Sequence, residues 1–106
     1  NKNSKLTTPI NKKTLQATHH EIDSQITCRK IKTNRYQLEV VCASRPNLLG
    51  LIVKEINSLE ISVHNAKINT LGQRAEDFFI ISSKIKLNLE TRIQTLIKNI
   101  RSRVNE

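Results

Sequence analysis

Aromatic side chains are almost missing from this chain of 106 residues: Tyr36, Phe78 and Phe79 are all there are. Three rings cannot make the stacking platform on which single-stranded nucleic acid is bound. Trp and Met are absent as well, so any core must come from the plentiful Ile, Leu and Val. Glycine occurs only at Gly50 and Gly72, which excludes a glycine-rich phosphate loop. Cysteine occurs only at Cys28 and Cys42, with no CxxC and no His at ligand spacing. That argues against zinc and for two free, half-buried thiols in a reducing compartment. No apolar run approaches the roughly 20 residues of a membrane span, and no signal peptide is visible. The expectation is a cytoplasmic chain without membrane contact.

Acid is also scarce. The net charge is +9, and Lys2, Lys5, Lys12 and Lys13 lie in the first twenty residues with no Asp or Glu among them. The remaining residues carry 14 basic and 9 acidic side chains. Such a balance can attract nucleic acid or anionic lipid. No Lys/Arg stripe recurs at helical spacing, however, which favours a basic linker on a Lys- and Asn-rich domain over a nucleic-acid module. Residues 1–20 are polar and aperiodic and read as a flexible linker. Residues 21–106 read as one domain, large enough for a single core. His19 and His20 are adjacent but lack partners, so no metal site is expected. The chain opens on Asn1 rather than Met, as a segment of a longer protein would.

The hydrophobic pattern predicts six elements. Residues 25–31 alternate weakly and read as a strand; Lys32-Thr33-Asn34-Arg35 is a polar turn. Residues 36–43 follow as a second strand, with Tyr36, Leu38, Val40 and Cys42 on one face, which makes the first pair a hairpin. Ser44 is placed to cap a helix over 46–57, and Pro46 suits its first turn. Leu49, Ile52, Val53 and Ile56 form the stripe that must lie on a sheet, with Lys54 and Glu55 outward. Residues 61–70 form a third strand whose apolar phase slips at His64–Asn65. Either a β-bulge restores Ala66 and Ile68 to the core face, or Ala66 sits on the outer face. Gly72 supplies a turn with positive φ. The fourth strand, 75–82, is apolar on both faces, as a central strand or one meeting a second sheet would be. The last helix, 88–103, shows Leu89, Ile93, Leu96, Ile97, Ile100 and Val104 on one side, Asn88 at its start and Arg101 and Arg103 in its last turn.

The order β-β-α-β-β-α gives an α+β fold: a four-stranded antiparallel sheet with two helices on one face. A ferredoxin-like β-α-β-β-α-β unit with its last strand moved to the front has this shape. No catalytic residue is expected. Glu76 and Asp77 are adjacent in a strand and point to opposite faces, whereas Arg74 and Glu76 share a face and can pair. No Gly-flanked nucleophile turn is present.

Arg45-Pro46-x-Leu48-Leu49, directly after a strand and opening a helix, resembles the D-R-P-G-L-L signature of ACT domains, regulatory modules that often bind amino acids. The run from Ile61 to Ile80, ISVHNAKINTLGQRAEDFFI, is similar to the I-S-L-H-x-A-R-I-x-T-x-G-E-R-V-E-D-x-F-x-I run of the bifunctional PII uridylyltransferase/uridylyl-removing enzymes. In that family two ACT domains close the polypeptide, and a basic linker and an extra strand precede the second. The resemblance covers about residues 22–104 and implies the last ACT domain. It implies a parent that attaches UMP to a tyrosine of the PII nitrogen-signalling protein when glutamine is scarce and removes it when glutamine is plentiful. Separate nucleotidyltransferase and HD hydrolase domains, with Mg2+, would do that chemistry. The ACT domain itself would need no cofactor and would sense glutamine beside a neighbouring ACT domain.

The implied effector site comprises Ser44, Arg45, Asn47, Leu48 and Leu49 of the loop, with Val63, His64 and Asn65 of the third strand. A helix N-terminus there can seat a carboxylate. Two positions depart from the signature: Ser44 stands where the Asp that would meet an ammonium group is usual, and Asn47 where Gly is usual. The rival expectation is an ACT domain that pairs with another ACT domain, or with a second copy of itself through an exposed edge, and relays a signal sensed elsewhere.

Overall fold

The linker expected at 1–20, with His19 and His20, lies outside the described residues: the computed structural model describes residues 23–106. The first two strands, β1 (Gln25–Lys32) and β2 (Arg35–Ala43), form the expected hairpin across Thr33-Asn34. Asn34 adopts a φ of 51° and its amide clasps Ser83. Its Nδ2 donates to the Ser83 carbonyl at 3.2 Å, and its Oδ1 accepts from the Ser83 N–H at 3.0 Å. Helix α1 (Leu48–Ser58), β3 (Ile61–Leu71), β4 (Arg74–Ser83) and α2 (Leu89–Val104) complete the chain.

The sheet is antiparallel throughout, in the order β1-β2-β4-β3. β2 and β3 flank β4 and are joined through α1, a split β-α-β unit, and β1 occupies the edge beside β2. The arrangement is α+β and compatible with the ferredoxin-like class. α1 packs on β3, α2 on β1, and the helices on each other, so both cover one face. Leu38, Val40 and Cys42 of β2, with Phe79 and Ile81 of β4, meet Ile52 and Ile56 of α1 and Leu96, Ile100 and Val104 of α2 there. The alternation in β2 and the stripe of α2 are thus as expected. β4 is apolar on both faces because it is a central strand: Phe79 and Ile81 are buried under the helices, while Phe78 and Ile80 remain half-buried on the other side.

Three details differ from the sequence expectation. α1 starts at Leu48, and its N-cap is Asn47 with a φ of 60°, not Ser44. The Ser44 N–H instead donates to the carbonyl of Gln73 at 2.7 Å, tying the loop to the β3–β4 turn. The left-handed turn at Asn47 rotates the stripe, so Leu48, Ile52 and Ile56 are buried and Leu49 is 44% exposed. Glu55, expected to face outward, turns to α2 and pairs with Arg103 at 3.0 Å. Asn88 heads α2 as expected, but it too is left-handed and its side chain caps nothing.

The bulge is present. The β3–β4 register shifts between Val63 and Asn65, leaving His64 without a partner, and Gly72 turns the hairpin with a φ of 63°. Beyond the bulge Ala66 stands opposite Phe79 and Ile68 opposite Asp77, so both return to the helix side. They are not buried there. An α1 of 11 residues is about 16 Å long, whereas the 11 residues of β3 extend about 36 Å. One end of β3 therefore runs out from under the helix, with Ile68 and Leu71 exposed. At the opposite end of the sheet Arg92 of α2 holds the connections together. It donates to the carbonyls of Leu59 (2.9 Å), Ile85 (2.8 Å) and Leu87 (2.9 Å) and to Ser83 Oγ (2.7 Å).

Candidate functional site

The uncovered end of β3 faces the loop between β2 and α1, and together they enclose a pocket of about 200 Å³. Ser44, Arg45, Asn47, Leu48 and Leu49 line one wall; Ile68, Thr70, Ala75 and Asp77 of the sheet line the other. The volume is below the roughly 300–1,000 Å³ of drug-sized sites and suits a small metabolite.

Each side chain of the loop is placed by a local cause. Arg45 reaches across to α2, where its Nη1 donates to the Arg103 carbonyl at 2.7 Å. A cation at that carbonyl end complements the helix dipole. Asn47 tolerates the left-handed conformation better than most residues, and its side chain folds toward α1: a Cβ on Gly50 would come within 2.5 Å of Asn47 Oδ1. The Asn47 side chain leaves the first amides of α1 uncapped. Those N–H groups have no intrahelical acceptor, so the wall carries a partial positive charge.

Among the described residues Asp77 is the one acidic group lining the pocket. It is 0% exposed, and among the described residues neither carboxylate oxygen has a hydrogen-bond partner. Burial pushes its carboxyl above the ordinary 3.8, and the backbone N–H of Asn69, too poorly aligned for a full hydrogen bond, opposes it as the smaller effect. Cys42, beside it on β2, is pushed up to about 11 by burial, then by the Asp77 charge, with Arg45 opposing. Burial alone pushes Cys28 up to about 11. Both cysteines are free.

Of the eight expected effector residues, the five from the loop converge on this pocket. The three from β3 do not. Val63 packs against the core. His64 bonds through Nε2 to Ser82 Oγ at 2.6 Å. Asn65, opposite Ile80, lines a second depression of about 340 Å³ on the face away from α1 and α2, with Phe78, Gln37 and Lys67. Alternation from the core-packed Val63 turns His64 to the face away from α1, and the bulge puts Asn65, opposite Ile80, on that face as well. Sequence reasoning passed over Asp77. Its place on the helix face was legible from the alternation of β4, but its lack of a partner depends on what β2, β3 and α1 bring to it. Arg74 and Glu76 pair at 3.0 Å, as their spacing suggested. Among the described residues no group of three or more His, Cys, Asp or Glu could hold a metal ion, and no helix is long and apolar enough to cross a membrane.

Fold and pocket together define a small α+β module with a loop-and-strand pocket at one end of its sheet. Over 82 residues the chain is 39% identical to the bifunctional uridylyltransferase/uridylyl-removing enzyme of Legionella pneumophila, a match that covers 76% of this chain and 10% of that enzyme. The enzyme of the same name from Hydrogenovibrio crunogenus is 36% identical over 86 residues, 76% of this chain and 10% of the relative. That of Aliivibrio fischeri is 33% identical over 91 residues, 80% of this chain and 10% of the relative. The chain thus spans about a tenth of the length of the curated relatives it matches, and is similar to a domain-sized segment of them. No protein-family model matches the chain, and no solved structure does.

Proposed function

We propose that this chain is a regulatory ACT domain of a uridylyltransferase/uridylyl-removing enzyme, one that reports glutamine to catalytic domains elsewhere in its parent. The observation that carries the reading is the pocket beneath the Ser44–Leu49 loop, where the segment resembling the ACT signature, with the start of α1 left uncapped, borders a cavity of metabolite size. The similarity to uridylyltransferase/uridylyl-removing enzymes supports the parentage. In this reading the domain performs no chemistry; occupancy of the pocket shifts the parent between modifying and demodifying the PII protein, in the cytoplasm. A ligand acts in this way only by binding two states of the parent unequally.

Calorimetric titration of the chain with L-glutamine tests the proposal. A saturable heat supports sensing; the absence of heat from folded protein sinks it in favour of pairing. The pairing reading has its own support. Leu49 and Ile68 of the pocket lining and Leu71 near them in β3 are exposed, and among the described residues β3 is an edge strand, the features that invite a neighbouring domain or a second copy. Sedimentation of the chain with no ligand present distinguishes this alternative, since a purely pairing domain is dimeric at micromolar concentration while a monomer argues against it.

A further inference from the structure

Among the described residues Asp77 is the buried side chain left without a partner. A carboxylate with no exposed surface and no hydrogen-bond donor is expensive in any fold, because an unsatisfied buried acceptor carries its full desolvation penalty. The cost is greater here because Val40 and Ile68, its neighbours across the sheet, are both apolar. Yet Asp77 is not deep in the core: it lines the pocket under the β2–α1 loop. The opposite wall has the opposite polarity through the uncapped amides at the start of α1; Arg45 lines it too, but its guanidinium is engaged at the Arg103 carbonyl of α2. A pocket of about 200 Å³ with a negative floor and a positive wall is matched neither by a simple anion nor by a simple cation. It is matched by a small zwitterion.

We infer that Asp77 is the acceptor for the α-ammonium group of an amino acid whose carboxylate is held at the N-terminus of α1. The assignment rests on the reading of the pocket as an amino-acid sensor and deepens it. It also accounts for the loop: Ser44 offers no charge to an ammonium group, and the charge comes instead from the floor of the pocket. Thr70, on the same floor, can accept a further N–H. A ligand ammonium would supply the missing donor and hold the carboxyl in its ionised form, since an opposite charge within about 4–6 Å favours ionisation. Asp77 is then a ligand-binding group and not a catalytic one.

The test uses the whole 106-residue chain with its Asp carboxyls labelled with 13C. It is titrated with L-glutamine, with glutaramate, which is glutamine without its amino group, and with each remaining standard amino acid. L-Glutamine is expected to bind and to move the Asp77 carboxyl resonance to its ionised position, with glutaramate at least about tenfold weaker. Asp77→Asn, checked for its native amide spectrum, is expected to lose glutamine affinity by a similar factor. If another amino acid binds and shifts Asp77 while glutamine does not, the inference stands and the glutamine reading falls. If glutamine binds the Asn variant or glutaramate binds the wild type with undiminished affinity, the inference is overturned and the sensing reading survives. If no amino acid shifts Asp77, both are overturned.

Discussion

Replacing Asp77 with Asn should stabilise the ligand-free domain at neutral pH. The carboxylate lies between Val40 and Ile68, and among the described residues no donor reaches full hydrogen-bond geometry on either oxygen. A buried polar group left unsatisfied costs about 1–3 kcal/mol, and more when it is charged. Asn keeps the shape and removes the charge but still buries an amide, so the net gain should be about 1 kcal/mol at pH 7. The direction of the pH dependence follows from the raised carboxyl. Between its unfolded value near 3.8 and its higher folded value the native state holds more protons than the unfolded chain. The wild type therefore enjoys its full stability below that window, loses stability as pH rises through it, and carries a constant penalty above it. The Asn variant has no such loss, so the difference between the two proteins should open as pH rises. Urea unfolding of both, from about pH 3 to about pH 8, measures that difference while other titrating groups cancel. An Asn variant less stable than wild type at neutral pH would refute the reasoning, as would a difference that stays flat with pH. Either would mean that the folded carboxylate already has a strong partner.

Further perturbations test the supports of the pocket. Asn47→Ala should cost about 1 kcal/mol, because Ala is forced into a left-handed conformation, whereas Asn47→Gly should be neutral or slightly stabilising; thermal unfolding of the two variants should separate them in that order. Arg92→Met removes a charged donor from four carbonyls and Ser83 Oγ. It should destabilise the fold by about 2 kcal/mol in urea while leaving any amino-acid affinity unchanged, since Arg92 lies at the other end of the sheet. Cys28 and Cys42, both pushed up to about 11, should react with a disulfide reagent far more slowly in the native state than after unfolding. Their rates should climb as pH is raised toward that value, and no disulfide should link them; fast labelling of Cys42 at neutral pH would contradict its burial.

The strands and α2 were legible because one period decides each of them. Leu38, Val40 and Cys42 keep a strict alternation, and the apolar positions of α2 keep one helical face. Gly72 marked its turn because a positive φ was needed there. Errors arose where a single backbone angle moves everything after it. The left-handed Asn47 delays α1 and exchanges Leu49 for Leu48 in the core, and nothing in the local hydrophobic pattern distinguishes those two leucines. The bulge at His64 was legible as one of two alternatives, but its consequence was not. It puts Asn65 on the sheet face away from the effector residues of the loop. Long-range polar partners were invisible for another reason. Glu55 with Arg103, Arg45 with the Arg103 carbonyl, and the isolation of Asp77 all depend on which elements meet. Composition and spacing do not carry that information. The pocket was legible as a loop; its floor was not.

The central claim is that the pocket beneath the Ser44–Leu49 loop receives an amino acid. The most direct measurement is a map of backbone amide shifts in the 15N-labelled chain as L-glutamine is added. The account predicts saturable shifts confined to the Ser44–Leu49 loop, the Ile68–Thr70 segment, Asp77 and the end of α2 that Arg45 holds, with the first turns of α2 and the face around Phe78, away from both helices, unmoved. A folded spectrum that glutamine leaves unchanged, or shifts centred on the depression lined by Asn65 and Phe78, would contradict it.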